Sequence, residues 1–168
     1  ESGTCGASVA TDAAGNSTAP ATGDFTIDTA VSTFTGGLQA ASDSGDSNTD
    51  GLTKVTTPTF AGTVEKGSVV LLAINDKTYE ATVDANTGNW TVQVSDALND
   101  QAHSYTLTAV DQAGNEQQLT GSITVDTQAP TDGFTIDLDP ASDSAVNSDD
   151  YTNVSTPTVK GQGEVGAT

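Results

Sequence analysis

Arginine is absent from this sequence and lysine occurs four times, against 23 acidic side chains, which leaves a formal net charge of −19. Nucleic-acid binding relies on Lys and Arg to displace condensed counterions, so this chain repels a phosphate backbone. Anionic membrane surfaces are excluded for the same reason. Cysteine is represented by Cys5 alone, so no intramolecular disulfide can form and stability must come from packing or bound ions. Cys5 itself reads as a buried or incidental thiol. Methionine is missing, no positively charged segment leads into an apolar run, and no stretch of 18 apolar residues occurs, so this segment carries neither a signal peptide nor a membrane-inserting helix. The chain therefore reads as an interior piece of something longer.

What is present is Thr, Ser, Gly, Asn and Ala, with hydrophobic residues at 34% and charged residues at only 16%. Thr suits the exposed faces of strands, and Gly, Asn, Asp and Ser supply turns, which points to an all-β secreted module. Within the acids there are 18 Asp against 5 Glu. Solubility alone does not choose Asp. Its short side chain keeps a carboxylate close to the backbone, which suits tight turns and oxygen-lined cation sites in loops.

An internal repeat organises the chain. Asp12 and the segment Ala13-Ala14-Gly15-Asn16 recur as Asp111 and Gln112-Ala113-Gly114-Asn115, an offset of 99 residues. Gly23 to Thr29 matches Gly121 to Thr127, Ala41-Ser42-Asp43-Ser44 matches Ala141-Ser142-Asp143-Ser144, and Thr57-Pro58-Thr59 through Gly62 matches Thr156-Pro157-Thr158 through Gly161. Matched blocks in one order mean tandem repeats of about one small domain each. With the boundary near Asp28 and Asp126, residues 28–126 form one complete unit. Residues 1–27 are then the end of a preceding unit and 127–168 the beginning of a following one.

Inside the complete unit the apolar period is two. Val70, Leu72 and Ile74 share one face, and Tyr79, Ala81 and Val83 follow in a second run. The segment Asp84-Ala85-Asn86-Thr87-Gly88 predicts a hairpin turn before Trp90, Val92 and Val94. Tyr105, Leu107 and Ala109 form another strand, turned by Gln112 to Asn115 into one with Leu119, Ile123 and Val125. Phe60 belongs to an early strand, with Pro58 at its start. Six or seven such strands in about 100 residues specify tandem immunoglobulin-like β-sandwiches with Trp90 central in the core. No cysteine pair links the sheets, which excludes an antibody-type domain.

The unit resembles the bacterial immunoglobulin-like repeats of giant secreted adhesins, the calcium-binding tandem domains of type I-secreted biofilm and host-attachment proteins. The resemblance is carried by Thr57-Pro58-Thr59-Phe60-Ala61-Gly62-Thr63, Glu65-Lys66-Gly67-Ser68-Val69-Val70, Val83 through Trp90, and Tyr105 through Asn115. The run Ser42 to Asp50 is similar to the acidic segment that opens many such repeats. Glycine- and aspartate-rich nonapeptides are absent, so that secretion route is implied by resemblance alone.

Catalysis has little support, because no Gly-x-Ser-x-Gly motif and no phosphate-cradling glycine loop occur, and His103 reads as a solvent-facing strand residue. One His and one Cys are too few for a transition-metal site. Calcium, which takes six to eight oxygen ligands, is the expected cofactor. The first junction offers Asp12, Asp28, Asp43, Asp46 and Asp50. The second offers Asp126, Asp137, Asp139 and Asp143, with Asp111 expected at that same end of the unit. Phe34, Phe60, Tyr79 and Tyr105 fall at inward phases and read as core, and Lys54, Lys66 and Lys77 as exposed.

The leading expectation is an extracellular spacer at the bacterial cell surface: tandem repeats stiffened by calcium, partnered by neighbouring repeats, extending a tip that meets a host or surface ligand through another region. A glycan- or protein-binding module is the alternative. A subunit of a head-to-tail filament, in which one copy's early strands complete another's late ones, is a further one.

Overall fold

A computed structural model of the chain describes residues 2–130, 133–144, 146 and 149–163. Two compact units emerge, residues 1–126 and 127–168. The first begins with a hairpin, β1 (Ser2–Ser8) against β2 (Ala21–Thr26), which forms a two-stranded sheet of its own. Cys5 on this hairpin is exposed.

The sandwich follows as β3 (Phe34–Leu38), β4 (Leu52–Thr53), β5 (Thr59–Val64), β6 (Val69–Ile74), β7 (Lys77–Glu80), β8 (Thr82–Val83), β9 (Asn89–Gln93), β10 (Gln101–Val110) and β11 (Glu116–Val125). One sheet has the order β4-β11-β10-β6-β7 and the other β3-β5-β9-β8. Pairing is antiparallel except between β4 and β11. No helix among the described residues is long and apolar enough to cross a membrane.

The alternation read from the sequence sets the inner faces. Val70, Leu72 and Ile74 of β6, Trp90 and Val92 of β9, Leu107 and Ala109 of β10, and Ile123 and Val125 of β11 are all buried. Phe34 and Phe60 join them, while Tyr79 and Tyr105 are half-buried against the cluster. The Asn75-Asp76 turn between β6 and β7 has φ of 50° and 58°, the left-handed pair that a two-residue hairpin with native twist requires and that Asn and Asp tolerate. The run through Tyr79, Ala81 and Val83 is broken in the middle. β7 pairs with β6 in one sheet, β8 pairs with β9 in the other, and buried Ala81 marks the change of sheet.

Trp90 occupies the centre of the core at 1% exposure, its indole N–H donating to the Thr35 carbonyl at 3.1 Å. Space for the ring is made by backbone. A Cβ on Gly36 would lie 2.1 Å from the ring, and one on Gly62, opposite Gly36 in the β3–β5 pair, 2.0 Å from the Thr35 oxygen. Phe34 tilts against the indole with ring centroids 6.3 Å apart.

His103 corrects one expectation. It is 2% exposed and lies inside, with Nδ1 2.8 Å from the Asn75 side-chain oxygen and Nε2 2.9 Å from the Asn99 carbonyl. Its number has the parity of Tyr105, Leu107 and Ala109, so strand phase turns it inward, and two polar partners at the sheet end make the burial tolerable.

The second unit contains β12 (Thr135–Leu138) paired with β13 (Val159–Gln162). The register repeats that of β3 with β5: Ile136 faces Gly161 as Gly36 faces Gly62. Here the apolar side chains lie open, with Phe134 81% and Ile136 67% exposed.

Trp90→Ala is expected to cost about 3–5 kcal/mol, the range for truncating a buried aromatic, out of the roughly 5–15 kcal/mol that holds a domain together. Chemical denaturation measures it. Tryptophan emission from the native protein should be blue-shifted, and a water-like spectrum would contradict this core.

Candidate metal centre

Three segments distant in sequence bring carboxylates together at one end of the sandwich. Asp28 lies on the segment that leads from β2 into β3, Glu65 directly follows β5, and Asp111 directly follows β10. One oxygen from each falls within 4.8 Å of the others. Asp28 is exposed, Glu65 half-buried and Asp111 buried.

Asp111 is set by its own turn. Its Oδ1 accepts the backbone N–H groups of Ala113 at 2.9 Å and Asn115 at 2.8 Å, and its Oδ2 accepts the Asn115 amide at 2.8 Å. Gly114 completes the turn at φ 90°, a left-handed conformation suited to glycine. The Asn115 side chain, followed by backbone N–H groups of Asn115, Ala113 and Gly114, holds the Asp111 carboxyl below the usual carboxylate range against the opposing effect of desolvation. Glu65 is anchored by Ser32, whose N–H and hydroxyl both donate to Oε2, at 2.8 and 2.7 Å. Asp28 Oδ1 accepts the Ala30 N–H at 3.3 Å. The donor set is carboxylate oxygen alone, with neither imidazole nor thiolate, which suits a hard cation such as Ca2+ and not Zn2+.

The profile of the bacterial Ig-like domain family matches residues 30–127. The chain belongs to this family. Among solved structures, it is similar to a Ca2+-stabilized adhesin with which an Antarctic bacterium reaches out and binds ice, at 34% identity over 79% of this chain and 33% of that one, with a TM-score of 0.39. It is also similar to a 1.5-MDa bacterial ice-binding adhesin described in connection with host cell surface retention, at 33% identity over 70% of this chain and 39% of that one, with a TM-score of 0.36. The chain thus spans only 33% and 39% of the lengths of these two. No curated protein matches it.

The Ig-like topology rearranges the expected ligand groups. Asp111 does not share an end with Asp126. The hairpin after β10 reverses the chain, and the ten residues of β11 then carry it roughly 33 Å to the opposite end, where Asp126 donates its N–H to the Thr53 carbonyl at 2.9 Å. Asp111 belongs instead with Asp28. Glu65 is not among the expected ligands, since the excess of Asp over Glu points to aspartates, and the Glu65-Lys66-Gly67 turn is its only local signal. Asp43, Asp46 and Asp50 sit in the connection from β3 to β4, so the five residues of β3, roughly 17 Å, separate them from Asp28.

Asp12 caps the β1–β2 hairpin as Asp111 caps β10–β11, accepting the N–H groups of Ala14 and Asn16 and the Asn16 amide, all at 2.9 Å. In the second unit Asp137 lies within β12, and its Oδ1 accepts the Leu138 N–H at 2.9 Å. Asp139 pairs with Lys160 at 2.8 Å, which, with the Ala141 N–H, holds its carboxyl low. The Asp143 N–H donates to the Asp139 carbonyl at 3.0 Å.

A carboxyl whose folded pKa is depressed adds stability that is present above its unfolded pKa and is lost as pH falls through the folded value. For Asp111 that window lies below about pH 4, the ordinary Asp value. Thermal melts in chelator should therefore fall more steeply with acidification for the wild type than for Asp111→Asn. Parallel curves would show that the Asp111 turn contributes nothing pH-dependent.

Proposed function

We propose that residues 28–126 are a spacer repeat of a bacterial adhesin or surface fibre outside the cell, stiffened by calcium where one repeat meets the next. The observation that carries this reading is the convergence of Asp28, Glu65 and Asp111. Asp28 belongs to the segment joining the β1–β2 hairpin to the sandwich, whereas Glu65 and Asp111 belong to the sandwich itself. A cation shared by the three ties the connecting segment to the domain end and relieves the repulsion of three carboxylates. The similarity to a Ca2+-stabilized adhesin supports the choice of ion and of role.

In this reading the β1–β2 hairpin is the last hairpin of a preceding repeat, since its Asp12 turn has the same hydrogen bonds as the Asp111 turn of β10–β11. The β12–β13 pair is the opening of a following repeat, in which Phe134 and Ile136 await the rest of a sandwich. Neighbouring repeats are the partners, and a surface ligand is met by another part of the protein. The buried His103 is engaged through both nitrogens, by the Asn75 side chain and the Asn99 carbonyl.

An ion that binds only the native state stabilises it by RT ln(1 + [L]/Kd), about 2.7 kcal/mol at a hundredfold excess over Kd. Calcium should raise the melting temperature relative to chelator and lengthen the particle in small-angle scattering. Asp28→Asn combined with Glu65→Gln should remove the lengthening. The same melting temperature and particle length with calcium and with chelator would overturn the proposal.

A further inference from the structure

The connection from β3 to β4, residues 39–51, ends on the pair Asp50-Gly51, and Asp132-Gly133 is the one other aspartate–glycine pair in the sequence. An aspartate followed by glycine carries a latent reaction, because attack by the glycine nitrogen on the aspartate Cγ closes a succinimide ring and no side chain shields that nitrogen. Two things limit ring closure in a folded chain: holding the carboxyl against the next peptide, and removing the amide proton. Both are provided here. Asp50 is exposed, and its Oδ1 accepts the Leu52 N–H at 3.0 Å, which folds the carboxyl back along the Gly51 peptide. The Gly51 N–H donates to Asp43 Oδ2 at 3.1 Å.

Asp43 is placed to take that proton. Ser42 Oγ accepts the Thr59 N–H at 3.0 Å, the Thr53 hydroxyl donates to the Ser42 carbonyl at 2.6 Å, and Ser44 Oγ accepts the Lys54 N–H at 2.8 Å, so both neighbours of Asp43 are fixed. Asp43 itself is 6% exposed, and its Oδ1 is shielded from solvent with no hydrogen-bond partner, so no donor on that oxygen competes for the carboxylate. A cavity of about 390 Å³, lined by Asp43, Asp50, Gly51 and Ser122 among others, gives water a way to the pair.

The second unit supplies a comparison within the same chain. Thr152 donates its hydroxyl to the Ser142 carbonyl and Ser144 Oγ accepts the Asn153 N–H at 3.2 Å, matching Thr53 and Lys54 on Ser42 and Ser44, which sets Asp149 in the place of Asp50 and Asp150 in the place of Gly51. Asp149 Oδ1 accepts the Tyr151 N–H at 3.1 Å, and Asp150 has a φ of 57° against 75° for Gly51. The backbone and the carboxyl contact therefore agree. What differs is the side chain on Asp150, which crowds the attacking nitrogen and sets a second carboxylate beside the first.

We propose that Asp50-Gly51 is a self-modification site, at which the folded repeat converts Asp50 to isoaspartate with Asp43 as the base. In the first step the Gly51 nitrogen bonds to Cγ of the neutral Asp50 carboxylic acid and passes its proton to Asp43. Asp43 returns a proton to the departing hydroxyl, which leaves as water, and the succinimide remains. In the second step water adds to the Asp50 α-carbonyl carbon and breaks its bond to the Gly51 nitrogen, which takes a proton and stays joined to Cγ. One water is lost and one gained, and no oxidant, reductant or other reactant enters. The product has an extra methylene in the main chain just before β4 and a free α-carboxylate. The Gly51 carbonyl accepts the Thr124 N–H at 2.8 Å, so the lengthened chain loosens the hold of β4 on β11. None of this depends on the spacer reading of the repeat.

The test follows the intact chain through prolonged warm incubation in chelator, with site-resolved mapping by electron-transfer fragmentation, which separates isoaspartate from aspartate, and with uptake of heavy oxygen from labelled water. Isoaspartate should accumulate at Asp50, and about tenfold or more slowly at Asp149, because the side chain on Asp150 obstructs the attack. The folded wild type should react faster at Asp50 than the same chain in urea, where Asp43 no longer meets the Gly51 N–H. Asp43→Asn, which accepts the same hydrogen bond and takes no proton, should slow the reaction to the urea rate, its folding being checked by melting. Should Asp43→Asn fail to fold, the comparison of folded and urea-held wild type decides alone. A folded wild type that reacts no faster than the chain in urea, an unchanged rate in folded Asp43→Asn, or equal rates at Asp50 and Asp149 would overturn the proposal.

Discussion

Two sheets of short strands close on one indole. Trp90 of β9 reaches past β5 to β3, and it does so because Gly36 and Gly62 present bare backbone where any side chain would collide with the ring or with the Thr35 carbonyl. The ring N–H takes up that carbonyl, so the largest core residue leaves no buried polar group of its own unsatisfied. β3 lies at the edge of its sheet. The segment with Asp28 enters β3 at one end, and the loop with Asp43 leaves from the other.

Negative charge is the second constraint, and scarcity of lysine decides how it is met. Lys77 and Lys160 are engaged by Asp96 and Asp139. Several other carboxylates are answered within their own turns: Asp12 and Asp111 accept the Asn16 and Asn115 side-chain amides and then backbone N–H groups, and Asp84 accepts backbone N–H groups, which lowers the pKa of all three. Turn dipoles of this kind neutralise one carboxylate each. Each turn answers its own carboxylate; where Asp28, Glu65 and Asp111 meet, the proposed reading adds a divalent cation, in a chain that has no arginine.

Much of this was legible in advance. The inward phase of Val70, Leu72 and Ile74, the position of Trp90 and the Asp84 and Asp111 turns are local or periodic properties, written in neighbouring residues whose geometry follows from the two-residue period of a strand and the preferences of Asp, Asn and Gly. β3 was not legible, because Phe34-Thr35-Gly36-Gly37-Leu38 contains two glycines that weaken any strand signal. Their reason for being there is a tryptophan far along the chain. His103 was misplaced because its polarity was weighed above the parity it shares with Leu107.

The sequence by itself determined the fold class, the repeat and the abundance of hard oxygen donors, since these depend on composition and short-range pattern. Only the tertiary structure decided which donors meet. A β-hairpin sends the chain back the length of the domain, so residues close in sequence part company at opposite ends. Asp111 and Asp126 were separated in this way, while pairing between strands brought Asp28, Glu65 and Asp111 within reach of one ion.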